Sequence, residues 1–232
     1  MHYLPDDNSR YKDVDYWDER YKTEQSYDWL GSFCKFQHLL EKHVGKDDSI
    51  LILGCGNSSM SSDMYIAGYH SITNIDYSSV CISTMSARHS DCPGMTWHEM
   101  DVQQLSFPDA TFDVVLEKAT LDAIMVEEKT PWEVSPQTAC FIHKALTELM
   151  VVTQKERKEK DQKHTNMDVN SAQSEIFKEL EMFYETGNAF DALVMKDTVQ
   201  CALTLLKWNM LLFGDLVKCN SGKQKMSVLV LA

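Results

Sequence analysis

The sequence predicts an α/β fold built on a doubly wound, parallel sheet, and three features carry that expectation. Short apolar runs without polar alternation, Ile50-Leu51-Ile52-Leu53 foremost, have the composition of strands covered on both faces. Segments with helical spacing separate these runs, and parallel neighbours require such crossovers. A Gly54-Cys55-Gly56 turn follows the first run directly, at the strand end where open α/β sheets bind ligands.

Taken in order, residues 11–22 place Trp17 and Tyr21 four apart, on one face of a short helix. A loop with Tyr27 and Trp29 follows, and Gly31 marks a turn. Phe33, Phe36, Leu40 and Val44 then recur at helical spacing, with Gly45 as the stop. After the first strand, further strands are predicted at Ile72-Thr73-Asn74-Ile75 and over residues 112–116, with a weaker one over 95–100. Helices are predicted over 59–67, 79–89 and 136–150, the last with Phe141, Ile142, Leu146 and Leu149 on its apolar face. Residues 1–150 thus read as one domain. Residues 155–164 are a dense run of mixed charge, inside a linker placed at 151–170. Beyond it, 171–232 reads as an atypical, mostly helical segment, with helices over 171–186 and 199–213 and an apolar β-type run at 227–231.

A chain of 232 residues suits one domain with a sizeable core. The 44% hydrophobic and 25% charged fractions are those of a soluble globular protein. A net charge of -13 argues against a nucleic-acid partner and suits a basic protein or peptide. Seven cysteines without a C-x-x-C pair fit reduced thiols, rather than a disulfide framework or a zinc site. No metal is expected. The polar, acidic first ten residues are neither a secretory signal nor a transit peptide. Gln200, Lys207, Asn209 and Asp215 interrupt the most apolar late stretch, which excludes a membrane span there. A cytoplasmic protein is expected.

The chemistry concentrates at the predicted strand ends. Gly54 and Gly56 let backbone approach a ligand, and the helix that follows offers free N–H groups. Ser59 stands where a dinucleotide-binding fingerprint would place its third glycine. Asp76 closes the second strand, where a carboxylate can accept from a ribose diol; as an N-cap of the next helix it would have a structural role instead. Asp101, next to Val102, can meet an adenine amino group or simply make a turn. Glu117, Lys118 and Asp122 crowd the end of the fourth strand, either facing a cleft or forming a structural Glu–Lys pair.

Tyr16-Trp17, Tyr21, Tyr27-Asp28-Trp29, Leu53-Gly54-Cys55-Gly56-Asn57-Ser58, Asp76-Tyr77-Ser78, Met100-Asp101-Val102 and the run 112–118 occur in this order over about residues 11–149. In this the chain resembles the eukaryotic methyltransferase-like family that includes the lysine methyltransferases of translation elongation factor 1-alpha. The resemblance implies a Rossmann-like class I methyltransferase sheet, S-adenosyl-L-methionine as cofactor, and elongation factor 1-alpha as protein substrate. It also implies that Trp17, Tyr21 and Trp29 close over the cofactor and that Gly54 contacts its methionine part. Asp76 with Tyr77 would hold its ribose, Asp101 and Val102 its adenine, and Lys118 would stand beside it. Apart from the resemblance, a carboxylate at this strand end, Glu117 or Asp122, is a candidate for orienting a substrate amine.

The pattern breaks twice. Ala119 stands where the family usually has glycine, and one methyl group there crowds the site or strains the turn if φ is positive. After Leu149 the family's Arg-Val-Leu-x-Pro-Gly-Gly turn and last three strands are missing, so the C-terminal strands are absent or atypical. The sequence therefore also admits a catalytically impaired interaction protein that keeps the fold. An NAD-dependent oxidoreductase is a further alternative, opposed by the missing third glycine.

Overall fold

The computed structural model describes residues 4–128, 134–153 and 227–230. Five strands form one sheet in the order β3-β2-β1-β4-β5. They are β1 (Ile50–Leu53), β2 (Ile72–Asp76), β3 (Met95–Glu99), β4 (Val114–Glu117) and β5 (Ser227–Val230), and each neighbouring pair is parallel. The helices are α1 (Val14–Tyr21), α2 (Phe33–His43), α3 (Met60–Ile66), α4 (Ser79–Arg88), α5 (Thr120–Ile124) and α6 (Pro136–Thr153), preceded by a 3₁₀ turn at Asn8–Lys12.

The apolar runs are buried on both faces because the sheet is covered on both. Ile50, Ile52, Val114 and Leu116 pack against Phe36 and Leu40 of α2, Met60 and Met64 of α3, and Met85 of α4. The alternate residues Leu51, Leu53 and Val115 meet Phe112 and, on α6, Leu149 and Val152. Each fully buried aliphatic side chain contributes about 1.5–3 kcal/mol relative to exposure. The weak third run lies at the sheet's edge, where only Met95 of its five residues is buried. That exposure explains its mixed composition.

Of the boundaries that differ from the expectation, two have a cause in the packing. The fourth strand begins at Val114, two residues late, because Ala110 and Phe112 donate their backbone N–H groups to Val151 O and Val152 O, both at 3.0 Å. These bonds satisfy carbonyls that the C-terminus of α6 leaves open. Helix α6 runs on to Thr153 and buries Thr138, Ile142, Ala145, Leu149 and Val152, whereas Phe141 and Leu146 are half-buried.

The far flank of β4 is not left open. Ser227–Val230 pairs with it in parallel, from Val114↔Ser227 to Glu117↔Val230. The apolar run at the end of the chain thus supplies a fifth strand. The charged run at 155–164 and the helices expected over 171–186 and 199–213 lie outside the described residues. Among the described residues no helix is long and apolar enough to cross a membrane.

Ala119, between β4 and α5, has φ 70° and ψ 1°, in the left-handed region. A Cβ is disfavoured there, and glycine gives back part of the gain through its freer unfolded state, leaving about 0.5–1 kcal/mol net. Ala119→Gly should therefore raise the calorimetric midpoint by about 1–4 °C. A midpoint that falls would show that the alanine methyl packs better than the turn is strained.

Candidate functional site

A cavity of about 640 Å³ opens at the carboxyl ends of β1, β2 and β4. All ten residues that the sequence singled out for a cofactor line it: Gly54, Gly56, Asp76, Tyr77, Asp101 and Val102 on the sheet side, with Lys118 from the end of β4 and Trp17, Tyr21 and Trp29 from the N-terminal segment.

The glycine turn forms the floor. Gly54 and Gly56 have φ of 51° and 52°. A Cβ on Gly54 would collide with the Thr120 side chain, and one on Gly56 would lie 3.0 Å from Tyr21 Oη. Close approach from both sides therefore requires glycine at each position. Thr120 Oγ1 donates to Leu53 O at 3.1 Å, locking the end of β1 to the start of α5.

Asp76 stitches this floor together. Its Oδ2 accepts from Gly56 N at 3.0 Å and its Oδ1 from Ser78 N at 2.9 Å. Burial pushes its pKa up to about 6, against the lowering effect of those N–H groups. The helix cap that the sequence allowed to Asp76 belongs to Ser78, whose Oγ accepts from Cys81 N at 3.1 Å. Asp101 is exposed, and its Oδ1 accepts from Gln103 N at 2.8 Å, so its turn role coexists with a place on the cavity wall.

The aromatic lid is held by a network that the sequence did not announce. Arg20 forms two hydrogen bonds to Glu24, Nε to Oε2 at 2.9 Å and Nη2 to Oε1 at 2.7 Å. Both side chains are buried, at 4% and 7% exposure. Asn57, on the glycine turn, donates to Glu24 Oε2 and to Glu24 O at 3.1 Å each, and accepts from Tyr27 N at 3.2 Å. The guanidinium lies 5.5, 5.2 and 5.0 Å from the ring centroids of Trp17, Tyr27 and Trp29. Trp17 and Tyr21 stack at 5.5 Å, as their spacing on α1 required. The signal for the network was the i, i+4 pair Arg20/Glu24 just after two aromatics, but Asn57 enters only through the fold.

At the end of β4 the structure separates the three charges. The Glu117–Lys118 pair that the sequence admitted as one alternative does not form. Lys118 Nζ instead donates to Trp29 O at 2.8 Å and lies 3.7 Å from Asp28 Oδ1, while burial lowers its pKa. Asp28 also accepts from Ser58 and Ser59, so the lid loop is tied to the start of α3. Glu117 is buried and lies outside the cavity wall: its Oε1 accepts from Thr120 N at 2.6 Å and Leu121 N at 2.9 Å. This corrects the expectation that Glu117 faces the cleft; it serves the N-terminus of α5. Asp122 does line the cavity.

Residues 50–132 match the family described as a methyltransferase domain. The mouse (Mus musculus) protein named EEF1A lysine methyltransferase 4 is 42% identical over 149 residues, covering 63% of this chain and 58% of that protein. The mouse eEF1A lysine and N-terminal methyltransferase is 39% identical over 132 residues, covering 56% of this chain and 19% of that protein. The chain thus spans little more than half the length of the first of these relatives. Among solved structures, a SAM-dependent methyltransferase from Methanosarcina mazei is 25% identical, with a TM-score of 0.39 over 50% of this chain and 52% of that one.

Two raised carboxyl groups make the ligand-free protein sensitive to pH. Burial lifts Asp76 to about 6 and Glu117 to about 7, so the folded state retains protons that the unfolded chain has released. Their stabilising contribution is complete below about pH 4 and lost as pH rises through those values. Glu117→Gln keeps an acceptor for Thr120 and Leu121 and cannot ionise. In thermal melts it should match the parent near pH 4 and exceed it at pH 8, by up to roughly 3 kcal/mol. Parallel melting curves across that range would contradict a buried, ionising Glu117.

Proposed function

We propose that this chain, whose residues 50–132 match the family described as a methyltransferase domain, is an S-adenosylmethionine-dependent methyltransferase of class I acting on a protein lysine. Its substrate on this reading is translation elongation factor 1-alpha, as the names of its relatives suggest. The observation that carries the proposal is the gathering of the glycine turn, Asp76, Asp101, Val102 and the aromatic lid around one cavity. The cofactor-binding unit would comprise residues 1–150.

The residues present fit the cofactor. A left-handed glycine turn whose Cβ positions are blocked is a cradle for close backbone approach. Asp76 is a buried acceptor at the end of β2, suited to a ribose diol. Val102 offers an apolar surface and Asp101 an acceptor for an adenine amino group. Trp17, Tyr21, Tyr27 and Trp29 present ring faces and edges to the cavity, which favour a cation and exclude water. When bound, S-adenosylmethionine supplies an electrophilic methyl group for in-line displacement.

The chain's own task is then to hold a lysine amine in line and free of its proton. Deprotonating an ordinary lysine at neutral pH costs roughly 4–5 kcal/mol. The aromatic walls lower that cost by desolvating the ammonium, because burial disfavours its charged form. Asp122 lines the same cavity and orients the amine from the carboxylate side. Positioning supplies most of the remaining acceleration, since no covalent intermediate is needed.

Tritiated cofactor incubated with cell lysate and this protein should label a basic elongation factor, with the label recovered as methyl-lysine after acid hydrolysis. Raised salt should slow the labelling, because screening weakens the encounter between an acidic enzyme and a basic substrate. Label confined to nucleic acid or small metabolites would exclude a protein lysine as the target.

A further inference from the structure

Two cysteines that the sequence keeps 26 positions apart meet beneath the glycine turn. Cys55 stands between Gly54 and Gly56, and its backbone N–H donates to Ile75 O at 3.0 Å, which aims the turn back over β2. Cys81 lies in the first turn of α4, with its own N–H held by the Ser78 cap. The carboxylate of Asp76 lies beside both. One Sγ from each cysteine and one carboxylate oxygen all lie within 4.8 Å of one another. The three residues are 7%, 1% and 5% exposed, in the order Cys55, Cys81 and Asp76.

We propose that Cys55, Asp76 and Cys81 form a binding site for a soft divalent cation of the zinc type, with its fourth coordination position open to the cavity. The donor set favours such an ion: two thiolates and a carboxylate suit zinc or cadmium, whereas magnesium and calcium seek oxygen ligands only. The separation is also suitable. Tetrahedral zinc places two sulfur ligands about 3.8 Å apart, and a sulfur and an oxygen about 3.5 Å apart, at ordinary bond lengths, so the observed group needs to contract by about 1.3 Å at most. Cys55 and Asp76 both line the cavity, which gives the ion a route in and leaves a face for water. Gly56 and Ser78 already orient Asp76 through their N–H groups, leaving lone pairs on both oxygens for a further partner.

Binding balances as a ligand exchange. The hydrated cation gives up waters, each thiol loses its proton to solvent, and two metal–sulfur bonds and one metal–oxygen bond to the Asp76 carboxylate form. Nothing is oxidised or reduced. Binding therefore releases protons.

A cation on Asp76 occupies the carboxylate that the proposed function gives to the ribose. On that reading the metal and the cofactor exclude one another, and zinc-type ions act as inhibitors that bind inside the cofactor site. The metal site itself stands on the geometry alone and does not need that reading.

Cobalt(II) is the probe, added to the full chain kept reduced with a phosphine. Expected are tetrahedral d–d bands and a sulfur-to-cobalt charge-transfer band that saturates at one equivalent and is displaced by zinc. The charge-transfer band should weaken in Cys81→Ser and vanish in Cys55→Ser/Cys81→Ser, with circular dichroism confirming that both remain folded. Should the double variant unfold, Cys81→Ser and Asp76→Asn serve separately, each expected to weaken cobalt binding at least 10-fold. A charge-transfer band that persists undiminished in the cysteine variants would place the ion on other cysteines and overturn the site, as would unchanged cobalt affinity in Asp76→Asn or no such band in the parent. S-adenosylhomocysteine should raise the apparent cobalt dissociation constant linearly with its free concentration, as a mutually exclusive ligand does. Cobalt binding that ignores S-adenosylhomocysteine would keep the metal site and reject the placement of ribose on Asp76.

Discussion

The close approach of the carboxyl ends of β1 and β4 sets the geometry on which the rest of the site depends. Gly54 can approach Thr120 only because it lacks a Cβ, and Thr120 Oγ1 closes the gap by donating to Leu53 O. Glu117 then holds the N–H groups of Thr120 and Leu121, which starts α5 directly after the left-handed Ala119. These contacts turn the chain away from the sheet on both sides of the cavity. The left-handed turn at Gly54 and Gly56 and the left-handed residue at Ala119 are two halves of one opening.

The lid depends on a second, buried constraint. A desolvated Arg20–Glu24 pair is costly unless every polar atom finds a partner, and here Asn57, the Tyr16 hydroxyl and three aromatic rings supply partners. Removing one member of such a pair costs roughly 3–5 kcal/mol, because the other is left as an uncompensated charge. Because Asn57 belongs to the glycine turn, this network makes the position of the aromatic lid and the shape of the floor a single structural decision. Lys118, bonded to Trp29 O and close to Asp28, adds a second tie from β4 to the same loop.

Much of this was legible in the sequence, for identifiable reasons. A continuous apolar run such as Ile50–Leu53 has one good explanation, a strand covered on both faces, and the structure covers it on both. The strand-end residues Gly54, Asp76 and Asp101 lie near one another in space because parallel strands deliver all their carboxyl ends to one edge. Even the run at Ser227–Val230 was readable as a strand, and it pairs with the open flank of β4. What could not be read were choices between partners. Glu117 and Lys118 are adjacent in sequence, which left both a pair and a cleft role open, yet successive residues of a strand point to opposite faces, and each found its partner elsewhere. Cys55 and Cys81 have no telling spacing; only the return of the chain through β2 brings them together. The two-residue delay of β4 arises from α6, whose open carbonyls claim Ala110 and Phe112.

The central claim is that this cavity is built for an adenosyl ligand whose ribose rests on Asp76 and whose base lies beside Val102. A crystal structure of the full chain grown with S-adenosylhomocysteine tests it most directly. The account predicts both ribose hydroxyls within hydrogen-bond distance of the Asp76 carboxylate, the adenine against Val102 with its amino group facing Asp101, and the homocysteine end over Gly54 beneath Trp17 and Trp29. Ligand density bound elsewhere, or an adenosyl group in this cavity that leaves Asp76 bonded only to Gly56 and Ser78, would contradict it.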